Sequence, residues 1–484
     1  MPLEHLDVLV VGAGLSGISA GWHLAHRCPG KSWAILEARD ELGGTWSLFR
    51  YPGIRSDSDM FTFGFGFRPW KDARSIADGP SILAYLRDTA RESGIDARIR
   101  FGHRVTGIAW SSRDARWTVE VARGDGTRTA LTCGFLLMCS GYYDTERGHD
   151  PAFPGRERFT GRIVHPQHWP EDLDWRGRRV VVIGSGATAV TLVPALAADA
   201  AHVTMLQRSP TWIVSMPGED RVAKALGRVL PPRWRHAAVR AKNVLAGAAV
   251  FAACRRWPDR VGARLLAWTR RQLPPGYDVD THFRPSYGPW RQRLCLVPDG
   301  DFFRAIRDGR ASVVTDHVEA FDATGIRLRS GTHLEADIVV TATGLELKLL
   351  AGLAPVVDGR RVDPARCLPY KGLMLEGVPN LAMVFGYTNA SWTLRADLVN
   401  DYVCRLLAHL DETGARWAVP RARPGDIAAE PFVDFSSGYF ERARDRLPKQ
   451  GAQAPWRADQ SYLTERRTIG RAALDDGVMR FEGA

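Results

Sequence analysis

Apolar runs that end in glycine recur along the chain and divide it into units. Asp7-Val-Leu-Val-Val11 predicts a buried parallel strand, and residues 18–26 continue as a helix. The strand Ser32-Trp-Ala-Ile-Leu36 closes this βαβ unit. The same order of signals returns at Arg178–Ile183, in a helix through Leu196, and at His202-Val-Thr-Met-Leu206. Residues 101–121 read as a small antiparallel excursion ending at Phe135-Leu-Leu-Met-Cys-Ser-Gly141, and Ala311-Ser-Val-Val-Thr315 and Ala336–Gly344 as further buried strands. Phe61, Phe63, Phe65, Phe67 and Trp70 alternate with small and polar residues, which predicts a half-buried strand. Tyr387–Leu407 predicts a returning helix, and the tail after Arg416, with Pro420, Pro424 and Pro431, an irregular surface wrap.

The fold class expected is α/β, with two Rossmann-like dinucleotide-binding domains, the second inserted in the first, and a helical insertion. The first domain spans residues 1–145 and resumes over 336–484 with the tail. The second covers 146–217 and 291–335, interrupted by helices over 218–290.

Both units carry a glycine fingerprint, Gly12-Ala-Gly14-Leu-Ser-Gly17 and Gly184-Ser-Gly186-Ala-Thr-Ala189. Glycines let the backbone approach a pyrophosphate, whose charge rests on the free N–H groups of a helix N-terminus. Glu37, ending the next strand of the first unit, is placed to accept hydrogen bonds from a ribose. The second unit has Gln207-Arg208-Ser209 at the matching place. A guanidinium there binds a 2′-phosphate that a carboxylate would repel, so the expected ligand is NADPH. The alternative is that Arg208 is an ordinary surface charge. The candidate dinucleotide contacts are Gly12, Gly14, Ser16, Gly17 and Glu37 in one unit, and Gly184, Ser185, Gly186, Thr188, Ala189, Arg208 and Ser209 in the other. Two such units suggest electron transfer between two dinucleotides.

With 484 residues, 45% hydrophobic and 25% charged, the chain has the composition of a two- or three-domain globular protein. Its seven cysteines form no CxxC, so no zinc site, disulfide scaffold or flavin-linked dithiol is indicated, and electrons must go elsewhere than to a disulfide. The first strand begins too early for a signal peptide, and no run of eighteen uncharged apolar residues occurs; the cytoplasm is the expected location. Charge is unevenly placed. Of a net +11, residues 221–273 hold 13 Lys and Arg against Asp259 alone. Interleaved Leu, Val and Trp make this a basic amphipathic segment. It either packs on its own protein with a solvated face or touches anionic lipid at the inner face of the membrane. No nucleic-acid motif accompanies it.

Between the fingerprints lies Phe159-Thr-Gly161-Arg-Ile-Val-His165-Pro-Gln-His-Trp169-Pro170. This segment resembles the FxGxxxHxxxW(P/D) signature of type I Baeyer-Villiger monooxygenases, in the flavin-containing monooxygenase superfamily. Gly43-Gly-Thr-Trp46, Tyr51–Asp59 and Asp337–Gly344 are similar to that family too. Arg55-Ser-Asp-Ser-Asp-Met60, His165–Pro170 and Thr388-Asn-Ala-Ser-Trp-Thr-Leu394 look like the ethionamide-activating subgroup.

The resemblance implies FAD, NADPH and O2, with a C4a-peroxyflavin converting ketones to esters or lactones and oxidising sulfides or thioamides at sulfur. It also implies a catalytic arginine at the flavin face, matched by Arg293 of Pro289–Val297, with Arg291 the competitor. Asp57 matches the carboxylate that orients this arginine and touches nicotinamide; Asp59 is its competitor, and a turn or cap acid the plainer reading. Gly44, Thr45, Trp46, Asp57, Val105 and Gly344 are the further cofactor contacts it assigns. His165 is expected to act as an interdomain hinge, and the loop before Trp392 to cover the isoalloxazine. Two other functions remain open, an N- or S-oxygenase without ketone activity and a redox-sensing flavoprotein without turnover.

Overall fold

The computed structural model describes residues 3–72, 74–423, 425–426 and 430–483; Pro424 of the tail lies outside the described residues. Strand His5–Val11 runs parallel to Trp33–Leu36, with helix α1 (Leu15–Arg27) crossing between them. On its other side it pairs in parallel with Arg128–Met138. Val8 and Val10 face one core and Leu9 and Val11 another, because successive side chains alternate across a sheet covered on both faces. His103–Ser111, Arg116–Arg123 and Arg128–Met138 form the expected antiparallel excursion.

The second sheet is wholly parallel, in the order Ala311–Thr315, His202–Gln207, Arg179–Ile183, Ile338–Thr341, Arg162–Val164. Helix α2 (Ala187–Leu196) packs on it. Ile338–Thr341 therefore belongs to the second domain, which corrects the boundary expected at residue 336. The run is apolar in either sheet, so its pattern does not say which one receives it. The chain leaves and re-enters the first domain through a two-stranded ribbon, Tyr143–Gly148 against Leu345–Leu347. Leu381–Met383 then joins the first sheet beside Arg128–Met138.

The basic segment forms helices, chiefly α3 (Pro232–Arg256) and α4 (Pro258–Gln272). By length and composition α3 is long and apolar enough to cross a membrane, although Arg240 and Lys242 interrupt it. Both cations are engaged by protein. Arg240 donates to the carbonyls of Phe61, Thr62 and Gly64, and Lys242 pairs with Asp220 at 2.6 Å.

Three expectations fail locally. Phe61 to Trp70 is no strand: Asp59 caps a helical turn, Met60–Phe63, by accepting from Thr62 N at 3.0 Å, and irregular chain follows. Glycines 64 and 66 had mimicked the alternation of a strand. The returning helix α5 (Trp392–Thr413) starts after Tyr387, since Thr388 N and Asn389 Nδ2 donate to Gln460 and hold that stretch out of helix. The tail is not a surface wrap, because Phe432, Phe435, Phe440 and Trp456 are buried. A buried ion pair, Arg395 to Glu465 at 3.0 Å, ties it to α5, with Tyr387 Oη donating to the same carboxylate.

Candidate active site

The first fingerprint is a close-packed turn. Gly12 has φ +102°, and a Cβ there would come within 2.7 Å of the Cys139 carbonyl oxygen. Gly14 faces Gly44, itself at φ +59°, so two glycines lie back to back. The N-terminus of α1 has no side-chain cap and no acidic residue in its first turn, which leaves its positive end for a ligand. Glu37 is buried; its carboxylate accepts from Ala13 N at 2.8 Å and from Arg39 N at 3.0 Å. Gly17 does not line the cleft, a correction to its expected contact. Its place is steric, because a Cβ on it would collide with the Gly12 carbonyl. Replacing Gly17 by alanine should therefore cost about 1–3 kcal/mol through overpacking. Thermal unfolding and the flavin content of the purified protein measure it; unchanged values in both would refute the packing argument.

The second turn repeats the geometry. Gly184 has φ +136° and packs on Ala342, while nothing lies within 4 Å of a Cβ placed on Gly186, so the uncapped start of α2 opens on empty space. Ser185 Oγ donates to Ser209 O at 3.0 Å and Thr188 lines the cleft. Ala189 does not: it is fully buried in the core beneath α2, where a small residue lets helix and sheet approach. At the end of the next strand Gln207 turns inward, donating to His282 O and Thr315 Oγ1, whereas Arg208 and Ser209 are exposed at the cleft. Arg442, from the tail, joins them. Burial, with the repulsion of Arg446 and to a smaller extent of Arg208, outweighs the pull of Glu346 and holds its pKa below the ordinary arginine value. No local signal marks Arg442 in the sequence; only the fold of the tail brings it here.

Between the two turns Arg293 meets Asp57, Nη2 to Oδ1 at 2.5 Å. The arginine side chain is 31% exposed, and that exposure is to the cleft it lines. Burial alone would lower its pKa, but the Asp57 charge and hydrogen bond outweigh it and the net shift is upward, so the guanidinium stays charged. Arg291 turns away to Asp434 at 3.7 Å. A turn closed by Arg291 N donating to Gly288 O leads into a bend at Arg291 and Gln292, so the two arginines do not lie on one extended strand. Asp59 is the cap, and it also accepts from Asn243 Nδ2 of α3 at 2.8 Å.

The Asp57 loop is clamped on both sides. Arg55 pairs with Asp301, and Gly53 (φ +75°) sits so close to α2 that a Cβ would meet that of Ala195 at 2.7 Å. Burial pushes the Tyr51 hydroxyl up to about 12, so it stays a neutral hydrogen-bonding group in the working range. Tyr142 and Tyr143, with hydroxyls 3.0 Å apart, and Tyr439 of the tail complete the surroundings of Arg293. None of the three was anticipated. Trp392 stands at the start of α5, its Nε1 donating to Ser16 Oγ at 2.9 Å and its ring stacked on Tyr142.

Ser16, Glu37, Gly44, Thr45, Trp46, Val105 and Gly344 line the same cleft as the second turn, Asp57 and Arg293. Its volume is about 1030 Å³. His165 lies outside it, on the connection between domains. Its Nδ1 accepts from Gln167 N at 3.2 Å, its ring packs on Gly148, and burial lowers its pKa, so it is neutral near pH 7.

Two glycine cradles that a Cβ would fill, each facing an uncapped helix, fit two dinucleotides, and they open into one cleft. Fold and cleft together define a protein that binds two dinucleotides side by side, the arrangement of an enzyme that passes electrons between them. Comparison with known proteins makes the class specific. Residues 59–225 match the flavin-binding monooxygenase-like family and residues 10–78 the NAD(P)-binding Rossmann-like domain. The chain is 57% identical to the FAD-containing monooxygenase EthA of Mycobacterium tuberculosis, covering 99% of this chain and 98% of the relative. It is 45% identical to the probable FAD-binding monooxygenase AlmA of Acinetobacter baylyi, covering 99% and 96%. This chain belongs to the family of FAD-containing monooxygenases. In fold it is similar to a steroid monooxygenase bound to NADP (TM-score 0.79, 24% identity, 99% and 100% of the two chains). It is likewise similar to cyclohexanone monooxygenase of Rhodococcus sp. Phi1 bound to NADP+ (TM-score 0.78, 17% identity, all of both chains).

Proposed function

We propose that this monooxygenase inserts one atom of O2 beside the carbonyl of a ketone, giving an ester or lactone, and oxidises sulfides and thioamides at sulfur as a side activity. In balance, ketone, O2, NADPH and a proton give ester, NADP+ and water. Bound FAD supplies the redox chemistry, taking a hydride from NADPH and activating O2. The observation that carries the reading is the Arg293–Asp57 pair set in the cleft between the two glycine turns.

An arginine held charged by a carboxylate provides fixed positive potential where negative charge develops on oxygen, and it donates no proton at working pH. Asp57 orients the guanidinium fork, and the clamps at Arg55 and Gly53 keep Asp57 in place. Tyr142, Tyr143 and Trp392 wall the same space and restrict water beside the reacting atoms. Oxidation at nitrogen or sulfur alone needs no carbonyl-polarising cation, so the pair favours ketones. Arg208, Ser209 and Arg442 support NADPH as the reductant. Seven unpaired cysteines support work in the reducing cytoplasm.

The test is a panel of linear and cyclic ketones supplied with NADPH and heavy-isotope O2, with products read by mass spectrometry. Esters or lactones carrying one heavy oxygen are expected. Hydrogen peroxide alone, or heteroatom oxides alone, across the panel would overturn the proposal.

A further inference from the structure

Helix α3 is anchored at both ends and unsupported in the middle. Its first half is held to the first domain by Arg240 on three carbonyls and Asn243 on Asp59. Its last turns are held by Phe251 against Trp290, with ring centroids 6.0 Å apart, and by Arg255 on Asp434 at 2.8 Å. His236, Val239 and Cys254 on its inner face are buried, yet Gly247 and Val250 of that face are exposed, so the helix bridges open space.

The outer face is open to solvent. Trp234, Ala238, Ala241, Leu245, Ala248 and Ala252 recur at alternating steps of four and three, which places them on one side, and all are exposed. Trp234 is 60% and Leu245 58% exposed, and Val229 of the preceding turn 75%. From Val244 to Cys254 there is no charged residue. A soluble surface rarely shows so long an apolar strip without an occupant.

The surrounding charge says which occupant. Arg221, Arg228, Arg233, Arg256, Arg260 and Arg264 are exposed, and among the described residues none pairs with a carboxylate. Arg233 and Arg256 lie over the rings of Trp234 and Trp257, at either end of the helix, where an amphipathic ring suits the boundary between headgroups and acyl chains. A second copy of the chain would bring the same six cations against themselves, and a nucleic acid has no use for the apolar strip. Anionic lipid meets both features.

We propose that α3 and the turn before it are a docking surface for an anionic lipid bilayer, the helix lying in the plane of the interface with its outer face among the acyl chains. The site is separate from the catalytic residues, and the proposal stands whether or not ketones are the substrates.

The full-length holoenzyme is sedimented with vesicles of phosphatidylglycerol and phosphatidylcholine, or of phosphatidylcholine alone. Partition onto the anionic vesicles should be about tenfold greater at low salt, and should fall about tenfold near 0.5 M salt, where the Debye length drops below ~5 Å. The variant Trp234→Glu/Leu245→Glu should lose about tenfold in binding while keeping its flavin and its rate of NADPH oxidation. Arg256→Glu/Arg260→Glu should flatten the salt dependence. Failure to bind anionic vesicles at low salt, equal binding to neutral ones, or a glutamate variant that binds like the parent would overturn the proposal. So would a lipid-free dimer, seen by analytical ultracentrifugation, that Leu245→Glu dissociates, because the face would then belong to a second copy.

Discussion

Replacing Arg293 by alanine should lower the rate of oxygenated product by about 10²–10³-fold, while reduction of the flavin by NADPH without oxygen stays within about threefold, because the lost donor acts on charge that develops only in the oxygen-transferring step. NADPH oxidation in air should continue and yield hydrogen peroxide. Arg293→Lys should fall between, since an ammonium keeps the charge but not the planar fork that Asp57 holds at 2.5 Å. Arg291→Ala is the control: that side chain turns to Asp434 and should change product formation little. Product formation by Arg293→Ala within about threefold of the parent would remove the guanidinium from the mechanism.

The second large effect concerns the reductant. Arg208→Ala should raise KM for NADPH about tenfold and leave KM for NADH nearly unchanged, because a charge-assisted hydrogen bond contributes about 1.5–3 kcal/mol and tenfold is about 1.4. Solvent around the exposed Arg208 places the expectation at the lower end. Arg442, close enough to feel its charge, should retain part of the preference, and the double variant Arg208→Ala/Arg442→Ala should bring the two coenzymes close to parity. Equal changes for both coenzymes in the single variant would make Arg208 a surface charge without a ligand.

Those two arginines mark how far sequence reasoning reaches. The place of Arg208 at the cleft was legible because strand, glycine turn, helix and next strand occupy one continuous stretch, and the position after that strand is fixed by local geometry. That of Arg442 was not, because nothing near it in the chain signals a cleft; it gets there only because the aromatics of the tail are buried against the first domain. Tyr439 and the pair Tyr142 and Tyr143 went unnoticed for the same reason.

The choices between neighbours divide along the same line. Asp57 and Asp59 are both loop carboxylates in sequence, and a helical turn starting at Met60 makes the second one the cap. Arg291 and Arg293 would share a side on an extended strand, and the bend of the chain at Arg291 and Gln292 parts them. The aromatic series from Phe61 to Trp70 had the period of a strand, but an N-cap and the hold of Arg240 on three carbonyls decide otherwise.

By itself the sequence determined the two nucleotide-binding units, their order, the acid and the cation that end their second strands, and the helices of the basic segment. Each rests on periodicity and turn chemistry that a few adjacent residues settle among themselves. Tertiary structure alone decided which sheet receives Ile338–Thr341, which arginine enters the cleft, what the tail contributes, and that α3 bridges open space. Those outcomes depend on packing between segments far apart in the chain, where several arrangements satisfy the same local pattern and only the buried contacts of the whole select one.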